Sequence, residues 1–277
     1  AKSVILACGH SAREIYELFA NKSWAIEAKP FAMGVRVEHS QELINKVQYN
    51  SEHYSKLLPA ASYSLTHNVG NRGVFSFCMC PGGMIILSST EKGQLVVNGM
   101  SSSLRNSQFA NSGIVVSITE ADATKFASEG ALSLMRFQQE CERKMYIDKQ
   151  IAPAQRIGDF MANRTSKNLC RSSYPSGLYA CNMNEFLPKI VSDTLQQGFA
   201  VFDRKIAGFV SNDALMIGLE ARTSSPVRIP RDKDSMQHLQ LKNLYPCGEG
   251  AGYAGGITSS AIDGVNVAIK IAETLAR

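Results

Sequence analysis

The chain has 277 residues, of which 44% are hydrophobic and 19% charged, a globular balance that excludes a disordered chain. The formal net charge is +5 with Lys and Arg dispersed, which excludes the concentrated basic stripe of a nucleic-acid binder but allows attraction for anionic ligands. No apolar run is long enough to form a membrane-spanning helix, and seven cysteines at irregular spacings read as reduced thiols in a cytoplasmic setting.

In chain order, Val4 to Ala7 reads as a short apolar strand ended by Gly9. A helical pattern follows from Ser11 to Phe19, with Ser11 and Glu14 spelling a capping box. The chain opens directly in this strand pattern, which reads as a piece of a longer protein. Phe31 to Glu38 is a strand in which Arg36 and Glu38 alternate with Val35 and Val37, as on the polar face of a half-buried strand. Ser40 to Tyr49 is a short helix. Between residues 62 and 118, "SYSLTH", "GVFSFCM", "MIILSS", "QLVVNG" and "GIVVSIT" are strand-like runs separated by Gly, Asn and Ser, the pattern of an antiparallel sheet. Helices are expected over 120–147, 153–162 and 184–202, the last interrupted or started by Pro188. "ALMIGLEA" (214–221) and "NLYPC" (243–247) read as strands and "SPVRI" (225–229) as an extended piece. Helical spacing returns from Ile257 to Leu275.

Both ends of the chain are thus strand–glycine turn–helix units, and the middle is a sheet with helices. The simplest arrangement is an α/β (α+β) fold. Residues 1–30 and 222–277 form one layer, and residues 31–221 form an inserted domain of mixed β-sheet and helices.

The C-terminal glycine turn contains a G-x-G-x-x-G at Gly250, Gly252 and Gly255. A dinucleotide fingerprint requires a second strand carrying an acid about 20 residues on. The acid near that distance, Glu273, falls in the last turns of a helix, so the fingerprint reading is rejected. A glycine turn at a helix N-terminus still presents unpaired N–H groups and the positive end of the helix dipole to an anion.

"NLYPCGEGAGYAGGITSSAIDGVNVA" resembles the C-terminal flavin-binding segment of FAD-dependent oxidoreductases with the glutathione-reductase type of FAD domain. "SVILACGHSAREIYELF" is similar to the same fold's strand that ends near the cofactor. "PFAMGVRVEH", "FSFCMCPGG", "VVNGMSSS" and "ARTSSPVRI" look like a poorly characterised group of "NAD(FAD)-utilising dehydrogenases". The resemblance implies that Gly248 and Glu249 lie at the ribityl side of FAD, with Gly255, Gly256, Ile257 and Thr258 near the flavin, and that Gly9, His10 and Ser11 close the other side. It also implies that an N-terminal FAD-domain portion carrying the ADP site is the partner of this segment, and that residues 31–221 select a small-molecule substrate.

Several residues keep more than one reading. Glu249 is a ligand for paired hydroxyls or a solvated loop acid. Arg222 in "ARTSSP" is an anion clamp or part of an ordinary polar loop. Cys78 and Cys80 are packing thiols, the lining of a redox site, or half of a metal site. On an extended strand they point to one face at a spacing poor for a disulfide, and no other Cys or His pair supplies metal ligands. Cys78, Cys80 and Arg222 are the candidate catalytic residues. His10 ends a strand where cofactors bind in open sheets, whereas His39, His53, His67 and His238 have no partner at catalytic spacing. Three functions remain in view: part of a flavin-dependent oxidoreductase, a flavin-independent ligand- or protein-binding module, and a flavoprotein that modifies RNA.

Overall fold

The computed structural model describes residues 1–51 and 57–276; His53 lies outside them. The backbone divides into two compact units, the first of Ala1–Ala32, Ile118–Gln139 and Arg222–Arg277, the second of Met33–Ser117 and Glu140–Ala221. Segment 118–139, expected within the insert, falls in the first unit. Leu132 and Met135 complete a core there with Tyr16, Phe19, Val227 and Ile229.

In the first unit, β1 (Val4–Leu6) pairs in parallel with β13 (Leu244–Pro246), Val4 opposite Leu244 and Leu6 opposite Pro246. Each strand is followed by a glycine turn, so both turns emerge at the same end of the pair. After the first comes α1 (Arg13–Asn21), which buries Tyr16 and Phe19. Its N-cap is Ala12 and no side chain caps it, so the expected capping box of Ser11 and Glu14 does not form. The Ser11 hydroxyl instead contacts His10 and Arg222. A small antiparallel pair joins β2 (Glu27–Ala28) to β12 (Val227–Arg228), and β12 lies within the stretch 225–229 read as extended. After the second turn comes α6 (Ile257–Leu275), which buries only Asp263 and Val267.

The second unit is built on a seven-stranded sheet among the described residues. Its strands run β10 (Leu178–Ala180), β9 (Ala152–Arg156), β11 (Leu215–Glu220), β3 (Phe31–Ser40), β8 (Phe109–Ile118), β5 (Arg72–Cys80) and β4 (Thr66–Val69). Here β3 is central and buried along nearly its whole length. Arg36 and Glu38 are therefore core residues, not the polar face of a half-buried strand. A separate hairpin joins β6 (Gly83–Leu87) to β7 (Val97–Ser101).

The helices are α2 (Gln41–Tyr49), capped by Ser40, α3 (Ser133–Met145), α4 (Ile157–Met161) and α5 (Lys189–Lys205). Three expectations are corrected. Residues 153–156 are strand, not helix, because they fill the position between β10 and β11 and α4 begins only at Ile157. Residues 120–132 are largely 3₁₀ turns, with Gly130 at φ +55° preventing one continuous helix. Residues 62–65 precede β4 as loop. Pro188 starts α5, as its fixed φ favours.

Candidate functional site

The two glycine turns of the first unit touch. A Cβ placed on Gly250 would meet the backbone of Gly9 at 2.4–2.6 Å, so glycine is required for this approach. Gly9 (φ +70°) and Gly248 (φ +74°) take the left-handed conformation that turns the chain out of β1 and β13. Tyr16, fully buried on α1, ties the turns together. Its hydroxyl donates to Gly250 O at 2.8 Å, and lies 3.2 Å from Gly9 O and from Ser225 Oγ. Burial pushes the Tyr16 phenol well above its usual range, so it is a neutral donor at any working pH.

A polar chain lies across this junction. Arg222 Nη1 donates to Ser11 Oγ at 3.0 Å. Ser11 Oγ is 3.0 Å from His10 Nδ1, and His10 Nε2 stands 3.8 Å from Glu249 Oε1. Ser11 accepts from the guanidinium and shares a hydrogen bond with Nδ1, so His10 is held through one ring nitrogen while the other faces the carboxylate. At 3.8 Å that last contact is electrostatic, not a hydrogen bond. Burial raises the Glu249 carboxyl above its usual range, and Lys29 partly offsets the effect. Burial in turn lowers Lys29, with Arg228 adding to the fall and Glu249 opposing it. Lys29 and Arg228 flank Gly252, where a Cβ would meet each at 3.1 Å, and Arg228 Nε is buried without a partner.

A second clamp holds the turn that follows β13. Asp263 on α6 accepts Gly248 N at 2.8 Å and receives both Arg231 nitrogens, Nη2 at 2.6 Å and Nη1 at 3.0 Å. Arg231 also donates to Pro246 O. Burial pushes Asp263 up, but the Arg231 and Gly248 hydrogen bonds outweigh it and hold the carboxyl below its ordinary range. Cys247 beside it is pushed up by burial and by Asp263.

The far end of the turn is open. Space is clear around the Cβ positions of Gly255 and Gly256, Ile257 is 93% exposed, and no side chain caps the first turn of α6. Ser259 Oγ bonds back to Gly255 N and Gly256 O. The amides that begin α6 thus face an uncovered glycine platform, the arrangement that accepts an anion or a flat ligand edge.

Of the residues singled out from the sequence, Gly9, His10, Ser11, Arg222, Gly248 and Glu249 stand together here, and Gly255, Gly256, Ile257 and Thr258 form the open end of the same turn. Glu249 is no fully solvated loop acid, its side chain being 24% exposed. Cys78 and Cys80 lie in the second unit. Sequence reasoning missed Tyr16, Asp263 and Arg231. Tyr16 looks like any aromatic on an amphipathic helix. For Asp263 the one available signal was an acid inside an otherwise small and apolar helix beginning.

With this geometry in place, comparison with known proteins is decisive. Residues 30–223 match the family described as FAD-dependent protein, C-terminal domain-like. The chain belongs to that family. It is also 43% identical over 279 residues to an uncharacterized protein of Clostridium beijerinckii, covering 98% of this chain. The alignment takes in 52% of that protein, so the chain spans about half the length of this relative. The family ties the chain to FAD-dependent proteins, and the mixed sheet with helices is the fold expected of such a domain.

The residues around the junction fit a flavin nucleotide. Glycine turns leave room for a flat ligand, the uncapped helix start offers amide donors, Glu249 offers a carboxylate for hydroxyls, and Arg228 retains a buried N–H without a partner. Among the described residues no helix is long and apolar enough to cross a membrane.

Proposed function

We propose that this chain supplies the flavin-side loops and the substrate domain of an FAD-dependent oxidoreductase acting on a small molecule. The observation that carries the reading is the meeting of the Gly9 and Gly250 turns beside the uncapped start of α6, in a chain of an FAD-dependent family. In it, Glu249 accepts hydroxyls of the ribityl chain and the amides of Ile257 and Thr258 face the flavin edge. FAD would supply two-electron redox chemistry when bound. Arg222, through Ser11, orients the His10 ring with Nε2 toward Glu249. Cys78 and Cys80 would belong to the substrate domain, and a cytoplasmic setting suits the seven thiols. The ADP half of the cofactor would be held by an N-terminal partner segment.

The test is a visible spectrum of the full-length Clostridium beijerinckii relative and of this chain, each after FAD addition and gel filtration. Flavin bands are expected in the longer protein, and replacing its counterpart of Glu249 by Gln should weaken FAD retention. If the longer protein holds no flavin, the reading fails and a flavin-independent binding module takes its place.

A further inference from the structure

The region around Cys78 and Cys80 departs from an ordinary strand. Phe77 pairs with Gly113 and Cys80 pairs with Asn111, so β5 advances three residues while β8 advances two. The extra residue makes a β-bulge. Cys78 sits in it at φ +43°, a left-handed conformation that disfavours a residue with a Cβ. Strain of this kind persists only where its surroundings impose it, and it gathers at functional positions.

The surroundings are explicit. Arg36, 0% exposed, donates through Nη2 to Cys78 O at 2.5 Å and to Cys80 Sγ at 3.3 Å. Its Nε goes to Asn111 Oδ1 at 2.8 Å, and Nη1 to Glu220 Oε2 at 2.9 Å. Glu220 is 1% exposed. A Cβ on Gly99 would strike Arg36 Nη2 at 2.0 Å, so the facing hairpin presses glycine against the guanidinium. A buried Arg–Glu pair is an expensive way to stabilise a sheet. This one directs its remaining nitrogen, Nη2, to the bulged Cys78 and to Cys80, where pairing resumes.

The strand is therefore irregular at residue 78, where regular alternation of side chains is expected from the sequence. The Cys80 sulfur lies 3.3 Å from Cys78 O, folded back onto residue 78. The two differ in access, Cys78 being exposed and Cys80 half-buried. Among the seven cysteines Cys78 is the exposed one, while burial pushes Cys141 and Cys181 up to about 12. No group of three or more His, Cys, Asp or Glu side chains placed to hold a metal occurs among the described residues.

We propose that Cys78 and Cys80 are a redox-active dithiol that exchanges with low-molecular-weight disulfides. The exposed Cys78 thiol loses its proton, and its sulfur attacks one sulfur of the disulfide RSSR. The S–S bond breaks, RSH leaves with that proton, and a mixed disulfide remains at Cys78. Cys80, held against residue 78 by Arg36, gives up its proton and attacks the Cys78 sulfur, expelling the second RSH. The two electrons of the new Cys78–Cys80 bond's formation pass to RSSR, which becomes two thiols. A bridge closing so small a ring, with one sulfur exposed, would belong among labile, exchanging disulfides and not structural ones. The proposal does not depend on flavin binding.

The experiment uses the whole chain, reduced and then equilibrated with oxidised and reduced glutathione at graded ratios, acid-quenched, alkylated and analysed by peptide mass spectrometry. Expected is a peptide containing both cysteines that is lighter by two hydrogens and has lost both alkylation sites, reversed by excess reduced glutathione. Cys80→Ser should trap glutathione on Cys78, and Cys78→Ser should abolish the bridge without moving an adduct to Cys80. A Cys8→Ser/Cys170→Ser variant, removing the other half-buried thiols that are not part of the pair, should behave as wild type. Independent alkylation of both cysteines at every ratio, or separate glutathione adducts on each, would overturn the proposal.

Discussion

His39 shows how a single buried side chain sets a pH limit on stability. It is 1% exposed, its Nε2 lies 3.0 Å from Phe209 O, and its ring packs 4.7 Å from that of Phe209. Burial lowers it from 6.5 to about 4. The folded protein therefore resists a proton that the unfolded chain accepts near 6.5. The stability linked to this residue is present above pH 6.5 and is lost as pH falls toward about 4, a change of roughly 3 kcal/mol. Denaturant midpoints for wild type and His39→Gln, followed from about pH 7 to pH 4, should converge on acidification as the wild type loses this contribution. Parallel curves would show that His39 does not carry the effect. At Gly250 the logic is steric: the Gly9 backbone occupies the space a Cβ needs, so any substitution pushes the two turns apart.

At the scale of elements, α6 is held by polarity at its beginning more than by burial along its length. Asp263 and Val267 are its buried residues, and Asp263 binds both Arg231 and Gly248 N. Asp263→Ala leaves the nearly buried Arg231 guanidinium without its carboxylate. The expected loss is about 3 kcal/mol, the scale for removing one partner of a buried ion pair. The change should also speed hydrogen exchange at Gly248 to Gly256 more than in the seven-stranded sheet. Uniform loss of protection across both regions would mean that the clamp acts only on global stability. The Cys78 bulge teaches the same lesson in the second unit: Arg36 on β3 decides the shape of β5, two strands away in the sheet order.

At the scale of the molecule, the first unit presents much apolar surface. Val4 and Ile5 are each 47% exposed, and Ile257, Ile262, Val265, Ile269 and Leu275 are all exposed on α6. Ile262, Val265 and Ile269 share one face of the helix, and exposed apolar surface of this kind marks interaction surfaces. The isolated chain should enhance the fluorescence of a hydrophobic dye, and Ile262→Asp with Val265→Asp should remove much of that signal. The full-length Clostridium beijerinckii relative should show little of it if the partner segment proposed above covers the face. Equal dye binding by the long and short proteins would argue that the face stays bare.

The sequence by itself determined the local events. Glycine spacing and apolar periodicity placed β1, the turn at Gly9, the turn after β13 and the whole of α6, because these depend on residues a few positions apart. The resemblance carried by those turns pointed to FAD-dependent proteins before any contact was known. Tertiary structure decided what lies between distant residues. Tyr16 reaching Gly250, Arg231 reaching Asp263, and Arg36 bending β5 are partnerships across 32 to 234 positions that no local pattern encodes. The same holds for β9, whose residues pass for the start of a helix. The hydrogen bonds of two neighbouring strands outweigh that weak local preference.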